Sequence, residues 1–209
     1  FDTTDIHKLT ASWFFGKNPE DITDDERHVG KTGRHAGAYG EGKHRLMLDT
    51  NASAVKFGIN IKLSEKDAAK CLDIFHKMTP KIRGVFQNDV REIVHKQRIL
   101  WNPYGRMRQF FGVVKDTEAY AQIPQSTVPD LLGKAGLAMR AAYPMLRFVM
   151  DMHDAFVWKI REDKIDWISK ITKQFMEVPI DFKYCSLPRG TLVIPTEAKV
   201  GYRLSDLKK

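Results

Sequence analysis

The sequence predicts an α+β fold, with a mostly helical first lobe and a second lobe in which a small antiparallel sheet packs against helices. Three observations carry this expectation. Residues 5–16, 64–79 and 126–143 repeat apolar side chains at helical spacing between capping and stopping residues. After residue 98 the order becomes short apolar runs with tight turns, then single helices, then a late apolar run, which suits an antiparallel sheet covered by helices. Finally, 209 residues at 43% hydrophobic and 29% charged suffice for one good core or two small lobes, and are far from the composition of a disordered tail. The lobes are expected to divide as 1–97 and 98–209.

Each element follows from local signals. Residues 5–16 place Ile6, Leu9, Trp13 and Phe14 on one face, and Gly16 stops the helix. Asn18-Pro19 is a turn. Thr23-Asp24-Asp25-Glu26 reads as a capping box opening a helix to about Tyr39. That helix contains Gly30, Gly33 and Gly37, each costing about 1 kcal/mol relative to Ala in a helix interior. Either the helix bends there or something approaches its backbone closely. Ser64 caps a helix with Ala69, Leu72, Ile74, Phe75 and Met78 inward, and Pro80 ends it and starts the next, to about Gln97. Residues 99–101 and 109–114 read as strands around Asn102-Pro103-Tyr104-Gly105. A Leu- and Ala-rich helix covers 126–143. Strands at 146–152 and 155–160 meet at His153-Asp154, a helix covers 163–176, and a last strand covers 192–200.

Composition bounds the function. A net charge of +8 favours an anionic partner, most simply nucleic acid. No run approaches the roughly 18 apolar residues of a membrane span, so no membrane partner is expected. Cys71 and Cys185 stand far apart without CxxC spacing, and none of the seven histidines pairs at zinc-ligand spacing. A disulfide framework and a structural metal are therefore not expected, and a reducing, cytoplasmic compartment is. The chain opens on Phe1, without a signal-peptide pattern.

Four groups of residues could carry chemistry. Arg27, Lys31, His35 and Tyr39 recur every four residues; each step drifts about 40°, so all four share a helix stripe about 120° wide. Two cations suit phosphate oxygens and two rings suit a base, although a solvated basic face has the same spacing. His153-Asp154 at a strand–strand turn could ligate a divalent cation, or be an ordinary hairpin turn. Gln125-Ser126-Thr127 after Pro124 reads as a helix start, able to offer N–H groups to phosphate or simply to cap. Gly105-Arg106-Met107-Arg108 beside Tyr104 is a basic turn suited to backbone contact or to solvent. Gly30-Lys31-Thr32 imitates the end of a phosphate-binding P-loop but lacks the Gly five residues earlier and the preceding strand.

In their order, these residues resemble the C-terminal part of family A DNA polymerases, the bacterial polymerase I and phage replicase group. Asp5-Ile6-His7 with Leu9-Thr10-Ala11 resembles the D-I-H-x-x-T-A segment. Arg27, Lys31 and Tyr39-Gly40 match R-x-x-x-K-x-x-x-[FY]-x-x-x-Y-G. Gly105-Arg106 resembles G-R-R, and Gln125-Ser126-Thr127 with Asp130 resembles Q-G-T-x-x-D. Met152-His153-Asp154 resembles V-H-D-E, and residues 197–209 resemble the family's closing strand and final segment.

The resemblance implies a fingers subdomain over 1–97 and the C-terminal palm over 98–209. It implies dNTP and primer–template DNA as partners. His7, Arg27 and Lys31 would meet the triphosphate, with His35 and Tyr39 at the nascent base pair. Gly40, Arg106, Arg108 and Gln125 would meet DNA. Asp154 would ligate metal, with His153 at the primer end. Two Mg²⁺ ions are implied, completed by an Asp outside this chain, in a D-Y-S-x-x-E strand upstream. The expectation is therefore a fragment or split-enzyme part, inactive without an upstream polymerase fragment or domain. The Pro-Gln-Ser-Thr segment inclines the reading towards a viral replicase, acting then in the host cytoplasm. Two departures stand out: His35 replaces Phe or Tyr, and Ala155 replaces the frequent Glu. They keep open the alternative of a catalytically inactive, polymerase-derived nucleic-acid-binding accessory module; a single-subunit RNA polymerase is a further alternative.

Overall fold

Asp5 opens the first helix, α1 (Ile6–Phe15), by accepting hydrogen bonds from the N–H groups of His7 and Lys8, and Gly16 closes it in the left-handed conformation. The structure, a computed structural model, describes residues 5–188 and 190–207. The expected capping box is present: Thr23 accepts from the Glu26 N–H, Glu26 reaches back to the Thr23 N–H, and α2 (Asp24–Tyr39) follows without a break.

The glycines of α2 answer the question the sequence raised. A Cβ on Gly30 would lie 2.4 Å from the His7 carbonyl oxygen and 2.7 Å from the Ala11 nitrogen. On Gly33 and Gly37 it would meet the rings of Phe14 and Phe75 at 2.6 and 2.2 Å. The backbone stays helical and is approached closely, so the glycines let α1 and α4 seat directly on α2.

A helix that the periodicity does not announce, α3 (Lys43–Phe57), follows Gly42. Its buried positions are Leu46, Thr50 and Ala54, a single large apolar residue among three. Next comes α4 (Glu65–Met78), with a reciprocal Ser64–Asp67 capping box. Ala36, Leu46, Ala68, Cys71 and Leu72 form a buried cluster against which Phe14 and Met47 pack. The expected single helix up to Gln97 is a π-helical segment, Ile82–Gln87, leading into α5 (Asn88–Gln97).

Two compact units result, one of residues 1–98 and 110–121, the other of 99–109 and 122–209. In the second, β1 (Ile99–Trp101) pairs antiparallel with β2 (Met107–Gln109). The expected strand at 109–114 is thus shifted towards the turn, and only one bond, from the Phe110 N–H to the Arg98 carbonyl, extends the ladder before Gly112 turns the chain at φ +62.

A larger correction concerns α6 (Asp116–Ala142), which starts ten residues before the expected Ser126 and contains Pro124 and Pro129. Burial of Ala119, Tyr120, Ile123, Leu131, Leu132 and Ala135 holds this helix through both prolines. The hairpin appears as β3 (Arg147–Met152) and β4 (Ala155–Lys159), followed by α7 (Ile165–Met176). Met139, Ile168 and Ile171 form the buried cluster of this unit, with Trp158 and Phe175 against it. Of the expected last strand, 192–200, Leu192 alone pairs among the described residues, as part of β6 (Thr191–Leu192) against β5 (Ile180–Asp181). Residues 193–200 have no regular structure, and Pro195 interrupts them. The fold is α+β as expected, with its strands in three separate two-stranded antiparallel ladders. The last two residues of the 197–209 tail lie outside the described residues.

Gly30→Ala should destabilise the chain by about 1–3 kcal/mol, because backbone atoms of α1 must move to admit the methyl. Gly133→Ala, at an exposed position of α6 with nothing within 4 Å of the new Cβ, should instead stabilise by about 0.5–1 kcal/mol. Urea denaturation of both variants measures the contrast.

Candidate nucleotide and metal site

The structure places Arg27, Lys31, His35 and Tyr39 along one edge of α2. His7 comes from α1, brought there by the contact at Gly30. Its ring centroid lies 5.9 Å from that of His35, which stacks on Tyr39 at 6.1 Å and 29°. The first four candidate residues and His7 therefore share one surface.

Charge on this surface is organised by a residue the spacing argument did not single out. The Asp5 carboxylate that caps α1 also accepts from the Arg27 Nε at 2.7 Å. It ties the two helices together and aims the guanidinium. Burial by itself would raise the Asp5 carboxyl. The Arg27 hydrogen bond, the two N–H bonds from Lys8 and His7, and the Arg27 charge outweigh it and hold the pKa at about 2. Lys31 is exposed and has no ion pair among the described residues.

The imidazoles are pushed the other way. Burial, then the charges of Arg27, His35 and Lys31, lower His7 to about 4, with Asp5 opposing. Desolvation, then Lys31 and Arg34, lower His35. The His7 Nδ1 is buried without a hydrogen-bond partner. At neutral pH the imidazoles are uncharged faces, and the cations around them are Lys31, Arg34 and the Asp5-paired Arg27.

In the other unit the turn after β1 is built on Asn102, which is fully buried. Its Oδ1 accepts from the Tyr104 and Arg106 N–H groups at 3.0 and 2.9 Å, and its Nδ2 donates to Asp130 at 2.6 Å. Arg106 grips the same Asp130 carboxylate with both Nε and Nη2. Lys134 lies over the Tyr104 ring at 4.6 Å. Tyr104, Arg106, Asp130 and Lys134 line an open pocket of about 420 Å³ with Gly105, Pro129 and Gly133. Arg106 is therefore a held cation, and Arg108 donates to Gln122 at 3.3 Å.

Gln125 is exposed on α6, nine residues past the helix start. The expected helix N-terminus at Ser126-Thr127 does not exist, and Thr127 Oγ1 donates back to the Ile123 carbonyl at 2.6 Å. Pro129, lacking an N–H, cannot take the Gln125 carbonyl, which leaves that oxygen without its usual helical partner.

His153 and Asp154 form the two-residue turn between β3 and β4. His153 sits at φ +57, in the left-handed region uncommon for a residue with a Cβ. Phe148, Phe156 and Trp158 pack their rings at 5.3–5.8 Å, and Phe156 seats on Gly136 of α6, where a Cβ would lie 2.8 Å away. The hairpin is thus anchored from behind, and Asp154 stands exposed, without a hydrogen bond or ion pair among the described residues. No group of three His, Cys, Asp or Glu side chains poised for a metal occurs among the described residues.

The fold these elements make is that of a polymerase domain. A solved structure described as the POL domain of Pol1 from M. smegmatis in complex with DNA primer-template and dNTP superposes with a TM-score of 0.66 at 17% identity, over 90% of this chain and 33% of that one. The sequence model of DNA polymerase family A matches residues 2–202, and the chain belongs to that family. It is 26% identical over 187 residues to a thermostable DNA polymerase I of Thermus thermophilus, covering 83% of this chain and 21% of that protein. It is 33% identical over 130 residues to DNA polymerase I of Synechocystis, covering 62% and 12%. The chain thus spans about a fifth of the length of the Thermus relative.

The depressed His7 sets a pH dependence. Between pH 6.5 and about 4 the unfolded chain binds a proton that folded His7 refuses, so stability falls as pH falls through that window. The Asp5 contribution is lost lower, from pH 3.8 down to about 2. His7→Gln should reduce the upper slope, to which the likewise lowered His28, His35 and His76 also contribute, and leave the lower one. Denaturation midpoints at several pH values, and the NMR titration of the His7 ring, check this.

Proposed function

We propose that the chain supplies the nucleotide-binding helix and one metal-ligating carboxylate of a template-directed DNA polymerase, with α1 to α5 as its fingers and the second unit as part of its palm. The observation that carries this is the single edge of α2 on which Arg27, Lys31, His35 and Tyr39 line up, with the His7 ring 5.9 Å from that of His35 and tilted 41° to it. The partners are a dNTP and primer–template DNA.

Arg27, oriented by Asp5, and the unpaired Lys31 hold the triphosphate of the dNTP through charge-assisted hydrogen bonds. His35 and Tyr39 present uncharged ring surface to the nascent base pair. Gly40, Arg106, Arg108 and Gln125 face the DNA, with the exposed Gln125 amide available to a groove edge. His153 supports the primer end.

The unpaired Asp154 carboxylate fits Mg²⁺, an ion that takes one or two carboxylates and fills its remaining positions with phosphate oxygens and water. Asp154 would hold such an ion, and the chemistry a pair of them would supply is activation of the primer 3′-hydroxyl and neutralisation of the leaving pyrophosphate. Asp154 would be one ligand of that set, and a second carboxylate, from an upstream polymerase segment, would complete it. Fixing and neutralising charge is most of what phosphoryl transfer requires of a protein.

A second reading, a catalytically inactive accessory module that binds nucleic acid, draws support from Ala155, which leaves Asp154 without an acidic neighbour at the turn.

Primer extension by the 209-residue chain, with and without an upstream fragment carrying the second carboxylate, separates the readings. Extension only in the mixture is expected; extension by the isolated chain removes the split-site reading, and none in either supports the accessory module. In the active mixture Asp154→Asn should abolish turnover and leave DNA affinity unchanged. Arg27→Ala should weaken dNTP binding about ten- to a hundredfold, the worth of one or two charge-assisted hydrogen bonds.

A further inference from the structure

The last turn of α2 is held by a side chain fifty residues away. Gln87 closes the π-helical segment and is 4% exposed, although it is a polar residue. Its Nε2 donates to the carbonyls of Gly37 and Ala38 at 2.9 and 3.0 Å. These belong to the last four carbonyls of α2, beyond which no helix continues; the Gly37 carbonyl also takes the Gly40 N–H, at 3.4 Å, and the Ala38 carbonyl relies on Gln87.

The neighbouring carbonyl of Ala36 accepts the Glu41 N–H at 2.8 Å as Gly40 turns left-handed at φ +72. Tyr120, 3% exposed, closes the corner from the other side: a Cβ on Gly40 would lie 2.7 Å from its ring. Tyr39 is the residue between the bonded Ala38 carbonyl and Gly40. Its backbone is therefore fixed by groups on both sides that come from elsewhere in the chain. π-helical insertions cost regular hydrogen bonding and are frequent at functional sites. Here the insertion brings Gln87 to the end of the nucleotide-binding edge.

We propose that Gln87 is the positioning residue for Tyr39: its amide, backed by Tyr120, fixes the final turn of α2 and so sets how the Tyr39 ring, and His35 stacked on it, judge the incoming nucleotide. This rests on the reading of α2 as the nucleotide-binding helix. Gln87 does not touch substrate. It acts on discrimination, through the backbone of residues 37–40, and not on the chemical step.

Gln87→Met keeps the side-chain length and removes the donor, and Gln87→Lys restores a donor for the two carbonyls. Hydrogen exchange on the 209-residue chain should show the amides of residues 39–41 exchanging about tenfold faster in Gln87→Met, with those of 27–35 unchanged and Gln87→Lys near wild type. In the enzyme completed with its upstream fragment, Gln87→Met should raise the dNTP KM and the ratio of mispaired to paired incorporation, each about tenfold, at unchanged kcat. Gln87→Asn, one methylene too short to reach, carries the same expectation and serves if Gln87→Met does not fold. Unchanged exchange at 39–41, or a fall in kcat with KM and mispairing unmoved, overturns the proposal. Exchange needs no catalysis, so a completed wild-type enzyme that incorporates nothing refutes only the polymerase reading.

Discussion

The near-contact of two helix backbones at Gly30 is the constraint on which the first unit depends. With no Cβ at that position, α1 lies close enough for the His7 carbonyl and the Ala11 nitrogen to occupy the space a side chain would take. That proximity makes the ring contact of His7 with His35, and the grip of Asp5 on Arg27, geometrically available. Gly33 and Gly37 continue the same face against Phe14 and Phe75. Three helix-interior glycines cost about 3 kcal/mol in propensity, which the packing of α1 and α4 offsets. The helix that carries the candidate site is thus held by its neighbours more than by its own sequence.

What was legible in the sequence is what is encoded locally. The capping box at Thr23, the cap at Ser64, the stop at Gly16 and the hairpin turn at His153-Asp154 each lie within a few residues, and each is found where it reads. The four-residue spacing of Arg27, Lys31, His35 and Tyr39 survives because a continuous helix preserves it. Elements that depend on distant burial read poorly. The helix α3 buries Thr50 and Ala54 beside a single Leu, a pattern with little amphipathic contrast. In α6 two prolines imitate a helix start, yet tertiary packing carries the helix through both.

The partners of the site residues were illegible for a related reason. Asp5 and Arg27 are 22 residues apart, Arg106 and Asp130 are 24 apart, and Gln87 and Gly37 are 50 apart. No periodicity links such pairs. Resemblance to the family marked Asp5 and Asp130 as motif members but gave no reason for them. The structure gives one: each is the carboxylate that holds an arginine. Gln87 belongs to no motif, and it opens a polar run, Gln87-Asn88-Asp89, that gives no sign in the sequence that the first of the three is buried.

These pairings change what the +8 net charge means. A guanidinium gripped by a carboxylate carries little net field, but it keeps donors in a fixed orientation. The Asp5 carboxyl stays ionised down to about pH 2, so across the working pH range Arg27 offers geometry more than charge. Neutral His7 and His35 add none. Net attraction for an anion along the α2 edge therefore falls mainly to Lys31, an exposed ammonium with no partner among the described residues, with the half-buried Arg34 behind it on the Thr10 hydroxyl. The edge divides two tasks that composition merges: a free lysine draws the anion in, and a braced arginine fixes how it lies. Exchanging the two types would exchange the tasks, because lysine has no planar fork for Asp5 to aim, and an arginine at position 31 would have no carboxylate beside it among the described residues.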